Sequence, residues 1–346
     1  MRVLVTGGCG FIGTAIVDKL LRSGAQVLNL DKLTYAAAPE ALGGWTGSER
    51  YQIVEGDICD INLVLELFED FQPDTVINCA AESHVDRSID SAAVFLQTNF
   101  IGTYTMLEAA RCWWAGRKGT HRFHQISTDE VYGALGPSDP ATREKAPYAP
   151  NTPYAASKAS ADHLVHAWGQ TYGLPVVTSH CTNNYGPWQF PEKLIPLMIT
   201  NGIDGRVLPL YGAGDNIRDW LHVSDHADAV LTVLEHGDSG ETYNIGGLRE
   251  QRNMDVVHLI CDELDARLPE DAPHHRMISH VVDRAAHDRR HAVDTSKIAT
   301  QLGWQPKTDF REGLAETVEW YFENREWWRV IRETRYNGER LGLAAA

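Results

Sequence analysis

The chain has 346 residues, which is enough for one large domain or for a main domain with a smaller lobe. Hydrophobic residues make up 43% and charged residues 23%, so the chain can bury a substantial core. The net charge of −16 argues against a nucleic-acid surface, which needs clustered Lys and Arg. No apolar run approaches the ~20 residues of a membrane span, and the first residues do not form a signal peptide. We therefore expect a cytoplasmic protein that binds neither nucleic acid nor membranes.

Cysteine and histidine spacing gives no sign of a metal site. The six cysteines are scattered, and no two stand in a CxxC arrangement. Their apolar neighbours are typical of small buried side chains. The 15 histidines do not supply a zinc-ligand spacing either. We expect no bound metal.

The first half of the chain alternates short apolar runs with helical patterns. The predicted strands are residues 2–6, 26–30, 51–55, 75–78, 123–127 and 176–180. The predicted helices are residues 15–23, 63–71, 94–111 and 154–172. This alternation predicts an α/β fold, a doubly wound parallel (Rossmann) sheet with helices on both faces.

After about residue 183 the pattern changes, because Pro and Gly recur and the apolar segments shorten. We expect residues 1–182 to form the sheet domain and residues 183–346 mainly a smaller, mixed α/β substrate-binding lobe. Residues 223–250 are predicted to return to the sheet, with a helix at 225–235 and a strand at 240–246. An amphipathic segment at 312–325 precedes a Trp-rich extension.

A glycine-rich turn connects the first predicted strand to the first predicted helix. In TGGCGFIG, the glycines Gly7, Gly10 and Gly13 permit a tight turn and let backbone N–H groups approach a pyrophosphate. Alone, such a turn can be a plain strand-to-helix connection. Here the second strand leads into Asp31, whose carboxylate can accept hydrogen bonds from ribose hydroxyls and repel a 2′-phosphate. The pattern predicts a dinucleotide site that prefers NAD over NADP.

A Tyr and a Lys share one face of the predicted helix at 154–172. Tyr154 and Lys158 are four residues apart, so their side chains leave the helix on the same side. An ammonium beside a phenol lowers the phenol's pKa from about 10 toward neutrality. Tyr154 can then take a proton from a sugar hydroxyl while a hydride leaves for NAD. A YxxxK pattern alone usually marks a solvated helix face, but here Thr128, after a predicted strand, can bind the same hydroxyl.

Three motifs, in this order, resemble one enzyme family. TGGCGFIG, STDEVYG at 127–133 and YAASK at 154–158 are similar to the extended short-chain dehydrogenase/reductase family. Within it, the chain resembles most the dTDP-glucose 4,6-dehydratase branch. The resemblance covers nearly the whole chain. It includes AAESHVDRSI at 80–89, NNYGPWQFPEKLIP at 183–196, LPLYGAGDNIRDWLHV at 208–223 and DRAAHDRRHAVD at 283–294.

The resemblance implies a lyase with the catalytic residues Thr128, Asp129, Glu130, Tyr154 and Lys158. Related sugar 4-epimerases carry small residues in place of Asp129 and Glu130. Oxidation at C4 makes the C5 proton acidic, so Glu130 can remove it while a protonated Asp129 donates to the departing C6 hydroxyl. Such opposed duties require pKa values pushed apart. The implied product of dTDP-glucose is dTDP-4-keto-6-deoxyglucose, with the hydride returned to C6. The alternative is that both carboxyls belong to a polar loop.

The resemblance also implies contacts to a tightly bound, recycled NAD and to a nucleoside-diphosphate-hexose. The expected cofactor-binding residues are Gly7, Gly10, Phe11, Ile12, Gly13, Asp31, Lys32, Leu33, Thr34, Asp57, Ile58, Ala80, Ala81, Ser83, Thr98, Tyr154, Lys158 and Asn183. The expected substrate-binding residues are His84, Asp86, Arg87, Thr128, Asn184, Glu192, Lys193, Leu194, Pro209, Tyr211, Arg218, Asn253, Arg284 and His287. Asp57 could equally cap a helix, and residues 84–87 could be a plain polar loop. Arginines give charge-assisted hydrogen bonds to phosphate, which lets an acidic protein bind an anion locally.

Several alternatives remain open at this point. The chain could be a nucleotide-sugar 4-epimerase, a 4,6-dehydratase of UDP- or CDP-glucose, or a non-catalytic NAD-binding regulator. Such a regulator is expected to lose Tyr154 or Lys158, and both are present. Residues 36–38 and 285–286 depart from the family's usual pattern, which leaves the nucleoside base undetermined. The resemblance also implies a homodimer in which the helices at 94–111 and 154–172 of two subunits form a four-helix bundle.

Overall fold

A computed structural model describes residues 1–342, in which twelve strands and twelve α-helices form a main layer and a smaller lobe. The strands are β1 (Arg2–Thr6), β2 (Gln26–Asp31), β3 (Tyr51–Glu55), β4 (Thr75–Asn78), β5 (Arg122–Thr128), β6 (Val176–Cys181), β7 (Asn183–Tyr185), β8 (Leu208–Tyr211), β9 (Ile217–His222), β10 (Thr242–Ile245), β11 (Glu250–Arg252) and β12 (Ile278–Val281). The helices are α1 (Phe11–Arg22), α2 (Ile61–Phe71), α3 (Val85–Asp90), α4 (Ala92–Phe95), α5 (Thr103–Trp114), α6 (Pro153–Tyr172), α7 (Leu194–Ile203), α8 (Val223–His236), α9 (Asn253–Arg267), α10 (Ser296–Leu302), α11 (Phe310–Glu323) and α12 (Arg325–Thr334). A π-helical segment spans Leu96–Gly102, and 3-10 turns span Pro39–Trp45, Asp129–Tyr132 and His274–Met277.

The main layer is a seven-stranded sheet in the order β3-β2-β1-β4-β5-β6-β10, and every neighbouring pair of strands is parallel. The strand order reverses direction between β1 and β4. In doubly wound sheets, ligands bind at the carboxyl ends of the strands beside such a reversal. The predicted doubly wound α/β fold is therefore confirmed.

Helices cover both faces of this sheet, which explains why its central strands read as continuous apolar runs. Along β1, Val3 and Val5 pack against one helix layer and Leu4 against the other, and all three are fully buried. The first layer contributes Ile16, Leu20, Ala227 and Val230 from α1 and α8, and the second contributes Phe68, Met106, Leu107 and Val165 from α2, α5 and α6. Helix α8 and strand β10 thus belong to the main layer, although they follow the second lobe's first strands in sequence.

The helix predicted at 94–111 is wider at its start than a regular α-helix. Its first turns form the π-helical segment, and α5 continues to Trp114. The wide turn lets the buried amide of Asn99 accept a hydrogen bond from the Glu82 N–H (2.8 Å) and donate to Ser157 Oγ (2.8 Å). π-bulges are frequent at functional sites, and this one fixes the segment after β4 against α6.

The second lobe has its own apolar core. It contains the sheet β11-β9-β7, the pair β12-β8, and helices α7, α9, α11 and α12. The predicted amphipathic segment at 312–325 corresponds to α11, followed by α12, in which Trp328 is fully buried. The sequence does not predict helices α7 and α9, because α7 is apolar on most faces and α9 has only a weak amphipathic period.

Residues 1–342 contain neither a membrane-spanning helix nor a cluster of metal-binding side chains. No helix in this range combines the length and apolar character needed to cross a membrane. Nor do three or more His, Cys, Asp or Glu side chains within it gather in a way that could hold a metal ion.

Candidate active site

Two cavities lie side by side at the carboxyl edge of the main sheet. The turn cavity, of about 300 Å³, follows the glycine turn and the ends of β1, β2, β4 and β5. The lobe cavity, of about 280 Å³, lies between the sheet and the second lobe. Glu130, Asn183, Asn184, Glu192 and Lys193 are among the residues that line both. A molecule bound in one cavity therefore meets a molecule bound in the other at this shared boundary.

The glycine turn can form only with glycine at two of its positions. Gly7 has a φ of +67°, and a Cβ on it would lie 2.6 Å from the Ala80 Cα. A Cβ on Gly13 would lie 2.1 Å from the Gly7 carbonyl oxygen. These contacts let the backbone close tightly and bring the N-terminus of α1, which begins at Phe11, to the cavity. Such a helix end attracts a phosphate through its free N–H groups and dipole.

Asp31 stands at the end of β2 with both carboxylate oxygens oriented by the backbone. Its oxygens accept hydrogen bonds from the N–H groups of Cys9 and Leu33, each at 2.8 Å. Burial raises the pKa of this carboxyl, whereas the two backbone donors lower it. Because each carboxylate oxygen can accept more than one hydrogen bond, Asp31 retains acceptor capacity for hydroxyls. The side chain of Lys32 pairs with Asp57 at 2.7 Å along the same edge.

Tyr154 and Lys158 lie together in the turn cavity, and both are buried. The Lys158 ammonium donates to the Ile126 carbonyl at 2.7 Å, and burial lowers its pKa. The pKa of Tyr154 lies well above its ordinary value, first because of burial and then because of the Glu130 carboxylate. The expectation of a lowered Tyr154 pKa is thus wrong for the protein alone, because burial and the neighbouring Glu130 charge both raise it.

The two adjacent carboxyls differ in environment. Asp129 is 4% exposed, and one of its buried oxygens has no partner within residues 1–342. Burial, reinforced by the charge of Glu130, raises the pKa of Asp129 to about 6. Glu130 is more exposed and lines both cavities. The structure therefore places a carboxyl that holds its proton up to about pH 6 beside one that lines both cavities, an arrangement in which the first can act as an acid and the second as a base.

A buried carboxylate behind this site connects three elements. Asp162, one helical turn after Lys158, accepts hydrogen bonds from Ser127 Oγ (2.7 Å) and pairs with His180 Nε2 (3.0 Å). Ser127 and His180 are register partners at the ends of β5 and β6. The His180 ring in turn meets the Tyr132 hydroxyl at 2.7 Å. Asp162 thus holds together the ends of β5 and β6, next to the 3-10 turn Asp129–Tyr132.

Hydrogen bonds hold two carboxylates of the lobe cavity, Glu192 and Asp86, in place. Glu192 accepts from Tyr35 Oη (2.9 Å) and from Arg87 Nε (3.0 Å), and its side chain is almost fully buried. The guanidinium of Arg87 stacks over the Tyr35 ring at 4.1 Å. Asp86 accepts from the Tyr211 hydroxyl at 2.8 Å. These contacts fix Glu192 at the boundary between the cavities and Asp86 in the wall of the lobe cavity.

Polar side chains line the far end of the lobe cavity. Arg218 is buried and donates to the Asp288 carbonyl at 2.9 Å, while Arg284 reaches Asp86 at 3.3 Å. Burial, followed by the charge of Arg284, lowers the pKa of His287 to about 4, so its imidazole is neutral at neutral pH. Within residues 1–342, the buried side-chain amide oxygen of Asn253 and the Nε of Arg284 have no hydrogen-bond partner. Unpaired buried donors and acceptors are unfavourable alone, so these groups fit a polar ligand.

The structure brings together most of the predicted site residues. Every expected cofactor residue lines the turn cavity except Leu33, whose backbone instead orients Asp31. Every expected substrate residue lines the lobe cavity except Thr128, which lines the turn cavity, and Arg87, which supports Glu192 from behind. The sequence interpretation missed other lining residues, among them Glu82, Gln189, Trp220, Tyr336, Glu339 and Arg340. Glu82, Gln189 and Trp220 lie inside segments that carry the family resemblance, which could have indicated them, whereas Tyr336, Glu339 and Arg340 lie outside every such segment.

Comparisons with known proteins agree with this geometry. The family model described as GDP-mannose 4,6 dehydratase matches residues 4–317. A probable dTDP-glucose 4,6-dehydratase of Sinorhizobium fredii is 52% identical over 347 residues, covering 99% of both chains. A dTDP-glucose 4,6-dehydratase of Streptomyces venezuelae, solved with NAD bound, is 43% identical with a TM-score of 0.89, covering 96% of this chain and 100% of that one. A UDP-glucose 4-epimerase of Thermotoga maritima, solved with UDP-glucose, is 28% identical with a TM-score of 0.84, covering 94% and 100%.

The family model is named for GDP-mannose, whereas the similar proteins are named for dTDP-glucose. The model therefore identifies the broad family, and the similar proteins identify the branch within it. The model covers most of the chain and gives the broad family, whereas identity at half of all positions over nearly the full length gives the branch. The similarity to the epimerase is lower in identity and reflects the common fold. The chain belongs to the dTDP-glucose 4,6-dehydratase family.

Proposed function

We propose that the protein is an NAD-dependent lyase that converts dTDP-glucose to dTDP-4-keto-6-deoxyglucose and water. The observation that carries this proposal is the pair Asp129 and Glu130 beside Tyr154 and Lys158 in the turn cavity, with Glu130 also lining the lobe cavity. An enzyme that only oxidises and reduces C4 does not need two further carboxyls, one buried and one that lines both cavities. Elimination of water needs both an acid and a base.

The residues of the turn cavity fit a dinucleotide. The glycine turn, which a Cβ would fill, presents the α1 N-terminus to a pyrophosphate. Asp31 retains acceptor capacity for the adenosine ribose, and the carboxylate disfavours a 2′-phosphate. When bound, NAD supplies the acceptor for the C4 hydride and the donor that returns it to C6. Tyr154, Lys158 and Thr128 line the same cavity at its boundary with the lobe cavity.

Oxidation at C4 requires that the C4 hydroxyl lose its proton. Tyr154 accepts this proton in our proposal, with Thr128 hydrogen-bonded to the same hydroxyl. Burial opposes the phenolate, so a positive charge must offset it. Lys158, held by the Ile126 carbonyl, provides that charge from this chain.

Elimination follows across C5 and C6. Glu130 takes the C5 proton, the electron pair forms the C5–C6 double bond, and the C6 hydroxyl leaves as water with the proton of Asp129. A hydride then enters at C6, and Glu130 returns a proton to C5. The proton that Tyr154 received balances the one that Asp129 gave up, so one water is lost and NAD is regenerated.

Incubation with dTDP-glucose, UDP-glucose and CDP-glucose, followed by mass spectrometry of the sugar nucleotides, tests the activity and the base preference. We expect loss of one water from dTDP-glucose. A 4-epimerase, the alternative with the same fold, would change the configuration at C4 and leave the mass unaltered. Mass-neutral conversion of any of the three would contradict the proposal.

We also propose that NAD is retained through many turnovers, because its exchange in mid-cycle would strand a reactive keto intermediate. Denaturing the purified protein and assaying the supernatant for dinucleotide measures this directly. We expect close to one NAD per chain. Absence of dinucleotide, together with strict dependence on added NAD, would contradict retention.

A homodimer is the assembly we propose. Large apolar side chains remain exposed along α4, the π-helical segment and α5, including Leu96 at 50% and Tyr104 at 44%, and Tyr172 at the end of α6 is 53% exposed. Pairing these helices with those of a second copy would cover this surface. Light scattering at micromolar concentration should give twice the chain mass, and a monomer would contradict the proposal.

A further inference from the structure

The C-terminal strap, residues 336–342, forms part of the wall of the lobe cavity. Tyr336, Gly338, Glu339, Arg340 and Leu341 all line this cavity. The strap follows α12, far from the cavity's other residues in sequence. Its position therefore depends on contacts that hold it to the rest of the chain.

Both ends of the strap are anchored. At its start, Tyr336 is buried against Phe190 and Ile331. At its end, the Gly342 N–H donates to Asp90 Oδ2 at 2.9 Å, and a Cβ on Gly342 would lie 2.8 Å from the Asp86 Cβ. Such close approach indicates that the strap packs on α3, the helix that carries Asp86.

Arg340 lies between these anchors with its guanidinium at the cavity. It stands over the Tyr211 ring at 5.4 Å, within cation–π range, and donates to the Val282 carbonyl. Its buried Nε has no partner within residues 1–342. The nearby Arg284 differs in that it binds a carboxylate, Asp86, which also accepts from Tyr211, although its own Nε is likewise unpaired within residues 1–342. Arg340 thus adds a cation whose hydrogen-bonding capacity is largely unused by this part of the chain.

We propose that Arg340 is a substrate-binding residue, which contacts the diphosphate of the nucleotide sugar while the strap closes that end of the lobe cavity. This inference rests on the proposed function, because a diphosphate is the anion that the site would receive. The guanidinium presents planar donors that match phosphate oxygens. Together with Arg218 and Arg284, it completes a set of three arginines on the cavity wall.

The test compares Arg340→Ala, Arg340→Lys and Arg329→Ala with the wild type. Arg329 lies on α12, pairs with Asp204 at 3.5 Å and lines neither cavity, so it is the matched control. Calorimetric titration with dTDP gives Kd, and steady-state assays with dTDP-glucose give KM and kcat. We expect Arg340→Ala to raise both Kd and KM about tenfold, as for loss of one partly exposed charge-assisted hydrogen bond, with kcat within about twofold. Arg340→Lys should recover part of the loss.

Unchanged Kd and KM in Arg340→Ala, with an unchanged melting temperature, would overturn the assignment. A chain that ends after Asn337 serves as the second variant, and it should bind dTDP at least as weakly as Arg340→Ala. Weak binding in the truncated chain alone would assign the effect to the strap and reject the role of Arg340. A wild-type protein that binds dTDP but does not dehydrate dTDP-glucose would count against the proposed function, not against this contact.

Discussion

The two cavities are built by different means. The turn cavity takes its main features from short local motifs at the ends of consecutive parallel strands, such as the glycine turn and Asp31. The lobe cavity collects side chains from segments as distant as residues 84 and 340. A parallel sheet brings its strand ends to one edge, so local motifs there converge automatically. The side chains of the lobe cavity come together only when the second lobe packs on the sheet. They are therefore harder to identify from local sequence patterns.

The largest expected effect is at the boundary between the cavities. Glu130→Gln should reduce dehydration by about 100- to 10,000-fold, the range for loss of a general base. Oxidation at C4 should persist, because Tyr154 and Lys158 remain, so NADH absorbance should build up without dehydrated product. Glu333→Gln, on the exposed side of α12, is the control. Normal turnover by Glu130→Gln would show that the boundary carboxylate is not the base.

A second experiment disturbs the turn cavity alone. Gly13→Ala places a Cβ 2.1 Å from the Gly7 carbonyl and should displace the turn, at a cost of about 1–3 kcal/mol for overpacking. We expect loss of NAD from the purified protein, with dTDP binding in the lobe cavity largely kept. Gly43→Ala, where a Cβ meets nothing within 4 Å, should behave as wild type. Equal loss of dTDP and NAD binding would contradict the independence of the two cavities.

Asp162→Asn tests how the buried network supports the site. Loss of the carboxylate removes the charged partner of Ser127 and His180 and should lower kcat about tenfold. Asp162 raises the pKa of Lys158, as do Cys79 and Cys181, while burial lowers it. Without Asp162 the Lys158 ammonium loses its proton at lower pH, so the alkaline limb of the kcat profile should move down. Asp262→Asn, on an exposed face of α9, is the control. If the alkaline limb of the kcat profile does not move in Asp162→Asn, Asp162 has only a structural role.

The smallest expected effect is on stability. The pKa of Asp129 is raised to about 6 in the folded protein, so the folded state disfavours the charged carboxylate. The resulting loss of stability begins as pH rises above the unfolded pKa of about 4 and is complete above about 6. Asp129→Asn should therefore raise the free energy of unfolding by about 1–3 kcal/mol at pH 8 and by little at pH 4. Denaturant unfolding at both pH values measures this, and equal effects would contradict the raised pKa.

The sequence alone determined the doubly wound sheet, the glycine turn with Asp31, and the pairing of Tyr154 with Lys158. Each depends on local spacing: strand–helix alternation, a turn that admits only glycine, and a separation of one helical turn. The resemblance added Asp129 and Glu130 as a pair.

The tertiary structure decided what depends on distant neighbours. Burial, which no local pattern encodes, raises the Tyr154 pKa against the expected direction and raises the pKa of Asp129 to about 6. Packing of the second lobe turns Arg87 toward Glu192 and brings Arg340 to the lobe cavity. Desolvation and long-range contacts exist only once the chain has folded. Sequence patterns therefore predict the Tyr154 pKa and the position of Arg87 wrongly and do not identify Arg340.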